Sequence, residues 1–131
     1  MKILFLTLFL FYTLQAQENT FVDMKTHLEW QDTKDTQDKE QIWKMSKKYC
    51  QSLHVKDHDD WRLPTLKELT TLISATQNKK LQYSSTSEYW TINDYEEDDT
   101  NAWEIYMGTG HQFYNDKCET AHVRCVRSLP H

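Results

Sequence analysis

Nine consecutive residues, Asn93-Asp94-Tyr95-Glu96-Glu97-Asp98-Asp99-Thr100-Asn101, gather five carboxylates and two amides. Calcium takes hard oxygen ligands of this kind, so Asp94, Glu96, Glu97, Asp98 and Asp99 are candidate metal ligands. The stretch lacks the spaced Asp/Asn pattern and central glycine of an EF-hand, and a solvated acidic loop is the plain alternative. His54 and His58 stand four apart beside Asp57, Asp59 and Asp60 and could offer imidazole and carboxylate to a transition metal. A helix ending near Leu53 would break that spacing and leave a hydrated loop. Trp90, Trp103, Tyr106, Phe113 and Tyr114 form an aromatic set that alternation sends partly into the core. Tyr106 and Tyr114 are the candidate ligand contacts, free to stack on a sugar or a partner. Ser84-Ser85 has no nucleophile elbow, and spacing alone assembles no Ser, His and Asp triad.

Such residues need elements to hold them, and the strongest local signal is Asp60-Trp61-Arg62-Leu63-Pro64-Thr65-Leu66-Lys67-Glu68-Leu69. Thr65 and Glu68 have the spacing of a capping box, in which a hydroxyl and a carboxylate each satisfy an orphan backbone N–H. A helix is predicted to start there, burying Leu66, Leu69, Leu72 and Ile73 and fading near Ala75 to Asn78. Ahead of it, Trp61 and Leu63 alternate with Arg62, so two apolar groups share one side of an extended segment. Ile42, Ser46, Tyr49, Cys50 and Leu53 recur at three and four, predicting an earlier helix with Lys44, Lys47 and Lys48 on its wet side. Thr20–Asp23 and Leu28–Gln31 read as an opening hairpin. Strands are also predicted at Tyr89–Ile92, at Trp103–Met107, at Gln112–Tyr114 after the turn Gly108-Thr109-Gly110, and at His122–Arg127. Two amphipathic helices packed on a small antiparallel sheet make an α+β domain.

Met1-Lys2, the apolar run Ile3 to Leu14 and Gln15-Ala16 have the layout of a secretory signal peptide over residues 1–16, leaving residues 17–131 as a single domain. Removing Lys2 with that segment takes the formal charge from −5 to −6, which disfavours nucleic acid and anionic lipid as partners. Nothing after Ala16 reads as a second membrane segment. With only two glycines against five tryptophans and seven tyrosines, aromatic packing must carry much of the core. Cys50, Cys118 and Cys125 are odd in number, so one disulfide leaves a thiol over, and spacing permits any of the three pairings. Joining Cys50 to Cys125 would close most of the domain in one loop, worth roughly 4.5 kcal/mol on the chain-entropy model.

Leu28-x-Trp30-Gln31-Asp32, the helix set Trp43, Ser46, Tyr49, Cys50 and Leu53, the Asp60–Leu69 run, Tyr89-Trp90, Ala102-Trp103 with Gly108 or Gly110, and Val123-Arg124-Cys125-Val126-Arg127 occur in one order. Together they resemble the Lcl C-terminal domain family across nearly all of residues 17–131. The resemblance implies a C-type-lectin-like fold, a bond from the first-helix cysteine to the last-strand cysteine, hence Cys50 to Cys125, and an exported, periplasmic or secreted bacterial protein. It implies a noncatalytic binding or interaction module whose partner is an envelope glycan or protein, with a structural subunit of an envelope assembly as the alternative. The family's association with sulfated glycans transfers poorly to a chain without a dense basic patch. Ser46 stands where alanine is usual, no glycine precedes Asp60, and Thr91-Ile92 replaces a common Ser-Ser pair. The Glu-Pro-Asn and Gln-Pro-Asp triplets of sugar-binding C-type lectins are absent. Formylglycine-generating enzymes resemble this architecture and use cysteines, which brings Cys118 with Cys125 forward as a third, thiol-based reading, although the chain is far shorter than theirs.

Overall fold

The computed structural model describes residues 19–131, and the signal-peptide expectation lies outside them. The predicted opening hairpin forms from β1 (Thr20–Asp23) and β2 (Leu28–Gln31), with Phe21 opposite Trp30. The last strand, β8 (Val126–Ser128), pairs with the other edge of β2 and completes a three-stranded sheet in the order β1-β2-β8. Flanked on both edges, β2 buries all four of its residues. Its Glu29 accepts from Thr20 Oγ1 and from Arg127 Nη1, each at 2.7 Å, and Arg127 also reaches Asp60 at 2.7 Å. Burial alone would raise the Glu29 carboxyl, but these donors outweigh it and hold the group below its ordinary range.

A short helix α1 (Asp35–Asp38) and strand β3 (Glu40–Ile42) precede α2 (Trp43–Ser52), where the first amphipathic helix was expected. Ser46 and Cys50 are its buried positions, and Cys50 is bonded to Cys125 across a Cα–Cα distance of 5.5 Å, the pairing implied by the family resemblance. The second helix begins at the predicted cap. Thr65 Oγ1 accepts from Glu68 N at 3.1 Å while Glu68 Oε1 accepts from Thr65 N at 2.9 Å. The same carboxylate receives both terminal nitrogens of Arg62, at 2.7 and 2.8 Å, so Arg62 faces away from the buried Trp61 and Leu63 as the alternation requires. This helix is two pieces, α3 (Leu66–Thr71) and α4 (Ile73–Gln77), meeting at Leu72. The hydroxyls of Thr70 and Thr71 bond back to Leu66 O at 2.8 Å and Glu68 O at 2.6 Å, a competition with the backbone that bends helices.

The α+β class holds, but two sheets replace the single small one that was expected. The second sheet runs β3-β7-β4-β5-β6, from β4 (Glu88–Tyr95), β5 (Asp98–Tyr106), β6 (His111–Asp116) and β7 (Thr120–His122). It is not wholly antiparallel, since β7 meets β4 in parallel at Tyr89 and His122. The expected strand over His122–Arg127 is divided, because Val123 to Cys125 carries the chain from one sheet to the other. Gln31 fastens that crossing, its N–H donating to Cys125 O at 2.9 Å and its side-chain oxygen accepting from Cys125 N at 3.1 Å. Buried Arg124 donates to Gln31 O at 2.7 Å and to Tyr83 O, straddling the same junction. Strand β4 spans two cores: Tyr89 packs with Leu69, Leu72 and Ile105, and Trp90 with Trp61, Leu63 and the disulfide. No helix of the described residues is long and apolar enough to cross a membrane.

Candidate functional site

The acidic stretch over residues 93–101 is the top of a β-hairpin, not a free loop. Strand β4 runs to Tyr95, Glu96-Glu97 makes the turn, and β5 begins at Asp98. The register slips between Trp90 and Asp94, a β-bulge that tethers the hairpin to the start of α3. There Thr91 Oγ1 donates to Trp103 O at 2.8 Å, Ile92 N to Pro64 O at 2.8 Å, and Asn93 Oδ1 accepts from Leu66 N at 2.7 Å. The capped helix and Pro64 therefore set where the hairpin stands.

On one face of β5, Ile105 lies under Leu69 and Leu72, and its partner Gln112 donates to Thr70 on α3 at 3.3 Å. One step towards the tip, Trp103 pairs with Tyr114, and the next pair is Asn101 with Asp116. Tyr95 stacks on Tyr114 with ring centroids 3.8 Å apart and planes 9° apart, and Trp103 sets its edge to both at 5.6 and 5.9 Å. Three rings thus continue the covered face beyond the helix, with Tyr114 49% exposed and Tyr95 and Trp103 half-buried. Carboxylates edge the rings. Tyr95 donates its hydroxyl to Glu97 at 3.0 Å and Trp103 its indole N–H to Glu96 at 3.3 Å. The Glu97 bond, with Tyr114 nearby, pushes the Tyr95 phenol up to about 12.

The other candidate residues are placed apart. Tyr106 is 39% exposed but pairs with Glu88 and His111 on the opposite face of the sheet, so Tyr106 and Tyr114 cannot make one stacking surface. The five candidate calcium ligands are not drawn together: Asp94 binds Lys117 at 2.6 Å, Asp98 accepts from Thr100 at 2.7 Å, and Glu96 and Glu97 take Trp103 and Tyr95. Asp99 is exposed on β5. Among the described residues no group of three or more His, Cys, Asp or Glu side chains is placed to hold a metal ion. The His54 and His58 spacing is not helical, since α2 ends at Ser52 and Lys56 and Asp57, both at positive φ, turn the chain so that Val55 pairs with His58. Cys125 is in the disulfide and Cys118 is exposed with a free thiol, so the thiol-enzyme pair is not assembled. A groove of about 630 Å³ lies between Gln37, Thr76, Gln77, Lys79, Ser84–Thr86 and Gly108, and its lining offers amides, hydroxyls and the Lys79 amine without a carboxylate, histidine or cysteine.

Two residues with chemical interest escape the sequence pattern. Tyr95 lies past Ile92, where the sequence reads as an acidic loop, yet β4 runs on to it and places it on the face of Tyr89. Glu104 reads as the wet partner of Trp103 and Ile105, yet it is 0% exposed and neither carboxylate oxygen has a hydrogen bond of proper geometry. Strand β5 is interior to the sheet, and Trp90 and Phe113 flank Glu104 on its two sides. Burial, reinforced by Glu88, pushes this carboxyl up to about 7, against a smaller opposing effect of the Asn115 side chain.

The family model described as the Lcl C-terminal domain matches residues 19–127, which takes in both sheets, the capped helix, the disulfide and the aromatic face. No curated protein matches the chain. The chain belongs to the Lcl C-terminal domain family.

Proposed function

We propose that this chain is an exported, noncatalytic binding module of C-type-lectin-like architecture that recognises a glycan of the bacterial envelope through the β4–β5–β6 face. The observation that carries this reading is the Tyr95, Trp103 and Tyr114 cluster, three rings held on a rigid sheet with Tyr114 half exposed. Flat aromatic surface stacks on the C–H face of a pyranose, and fixed acceptors around it suit hydroxyl groups. A site on strands is positioned more exactly than one on loops, and the bulge tether to α3 supplies that rigidity. A catalytic reading draws no support from the groove near Gly108, where Lys79 has no carboxylate, histidine or thiol beside it in the lining. The pairing of Cys50 with Cys125 suits an oxidising compartment, in keeping with export to the periplasm or beyond.

One observation favours a second reading. Exposed Cys118 is free to join another chain, as a structural subunit of an envelope assembly would require. Nonreducing electrophoresis of native material separates the two, since a covalent partner lost in Cys118→Ser marks a subunit. For the binding reading, a glycan array probed with wild type, Tyr114→Ala and Tyr106→Ala is the test. Hits that disappear with Tyr114→Ala and survive Tyr106→Ala support it, and an array with no hit, beside an envelope pull-down that captures only protein, removes the glycan.

A further inference from the structure

We infer that the ligand of the Tyr95, Trp103 and Tyr114 face is an amine-bearing saccharide, its ring lying on Tyr114 and its ammonium group reaching the carboxylates at the rim. The inference rests on the glycan reading above and adds the charge of the sugar.

Each end of the cluster is edged by an anion: Glu97 on the Tyr95 hydroxyl at 3.0 Å and Glu96 on the Trp103 indole at 3.3 Å. Asp116 lies one register step beyond Tyr114. The neighbouring cation is used elsewhere, as Lys117 binds Asp94 at 2.6 Å and stands 4.1 Å from the centre of the Trp43 ring. Lys67 is exposed on α3, and its single charge is outnumbered by Glu96, Glu97 and Asp116. Aromatic faces attract cations through their quadrupole, and a carboxylate accepting from the ring's own N–H or O–H adds electron density to it. An ammonium group gains from both rings and carboxylates, and a charge-assisted hydrogen bond is about twice as strong as a neutral one. A sulfate or carboxylate on the sugar meets the same charges as repulsion. The geometry also selects a flat ligand: Tyr95 and Tyr114 are in van der Waals contact, which leaves an outer surface for stacking and no cage between them for an isolated ammonium group.

The test uses the exported chain, titrated with a glucosamine hexamer, with the N-acetylglucosamine hexamer and with heparin, by calorimetry at low and high salt. The glucosamine hexamer is expected to bind at least tenfold tighter than its acetylated form, with affinity falling as salt rises, and heparin is expected not to bind. Tyr114→Ala should lose at least tenfold, and Glu96→Gln with Glu97→Gln should lose severalfold towards the amine and little towards the acetylated sugar. All three are exposed or half-buried positions, and thermal melts verify that the variants fold. Equal binding of both hexamers, still dependent on Tyr114, overturns the amine requirement and leaves the face as a glycan surface. Binding of the amine that Tyr114→Ala does not weaken is plain polyelectrolyte attraction and overturns the inference. Binding of neither hexamer also overturns it, and the array then decides whether the glycan reading falls too.

Discussion

Glu104→Gln is the substitution whose effect on stability can be worked furthest. The wild-type carboxyl is fully buried between Trp90 and Phe113, and its proton affinity rises from an ordinary 4.5 to about 7 in the folded chain. Below 4.5 both folded and unfolded forms hold the proton and the group is neutral to stability. Between 4.5 and 7 the unfolded chain releases its proton while the folded one keeps it, so stability falls as pH rises. Above 7 both are ionised and the full penalty is in place, up to roughly 3 kcal/mol. Glutamine has the same shape and no such titration. The stability of Glu104→Gln relative to wild type should therefore rise by about 2.5 kcal/mol from pH 5 to pH 8, an upper figure because water and local relaxation screen the charge. That corresponds to a relative gain on the order of 10 °C in melting temperature. Urea titrations of both proteins at several pH values measure it. The absolute difference at one pH includes whatever partners the new amide finds, but its pH dependence does not. A difference that is flat from pH 5 to pH 8 would refute the buried, unpaired carboxyl.

Trp61→Ala removes a buried ring and the bond from its indole N–H to His58 O, and should cost about 3–5 kcal/mol; a thermal melt matching wild type would contradict its place in the core. Replacing Cys50 and Cys125 together by alanine should destabilise by about 2–5 kcal/mol, whereas Cys118→Ser, at an exposed site, should stay within about 0.5 kcal/mol by denaturant titration. Thr65→Ala breaks one arm of the capping box and should cost about 1 kcal/mol in the same assay. With the carboxylates at the hairpin tip committed to separate partners, millimolar calcium is expected to leave the melting temperature where chelator leaves it, and a rise of several degrees would restore a calcium site there.

What was legible in the sequence is what short-range chemistry decides. The Thr65 and Glu68 cap, the burial of Trp61 and Leu63 around an outward Arg62, and the opening hairpin all follow from residues within a few positions of one another. Strand β3 and helix α1, of three and four residues, are too short to carry a period and exist because β7 and the Thr33-to-Lys39 turn bonds hold them. The division of the last strand depends on Gln31, 94 residues from Cys125, which no local pattern reports. The Cys50 to Cys125 bond came from the family resemblance, since cysteine spacing alone left three pairings open. At the candidate site, the alternation of Trp103 with Ile105 was right about the face, but it could not foretell that β5 is covered on both sides, which buries Glu104. Tyr95, the ring that stacks on Tyr114, keeps the parity of Tyr89, because the bulge at Thr91 to Asn93 adds two residues; it was hidden because the strand reads as ending at Ile92, with the acidic residues around Tyr95 reading as a loop.

The most direct measurement is the affinity of the strongest array glycan for wild type, Tyr114→Ala and Tyr106→Ala, two exposed tyrosines on opposite faces of one sheet. Binding through the β4–β5–β6 face predicts a loss of at least tenfold for Tyr114→Ala and an unchanged affinity for Tyr106→Ala. Equal losses, or a loss confined to Tyr106→Ala, would contradict it.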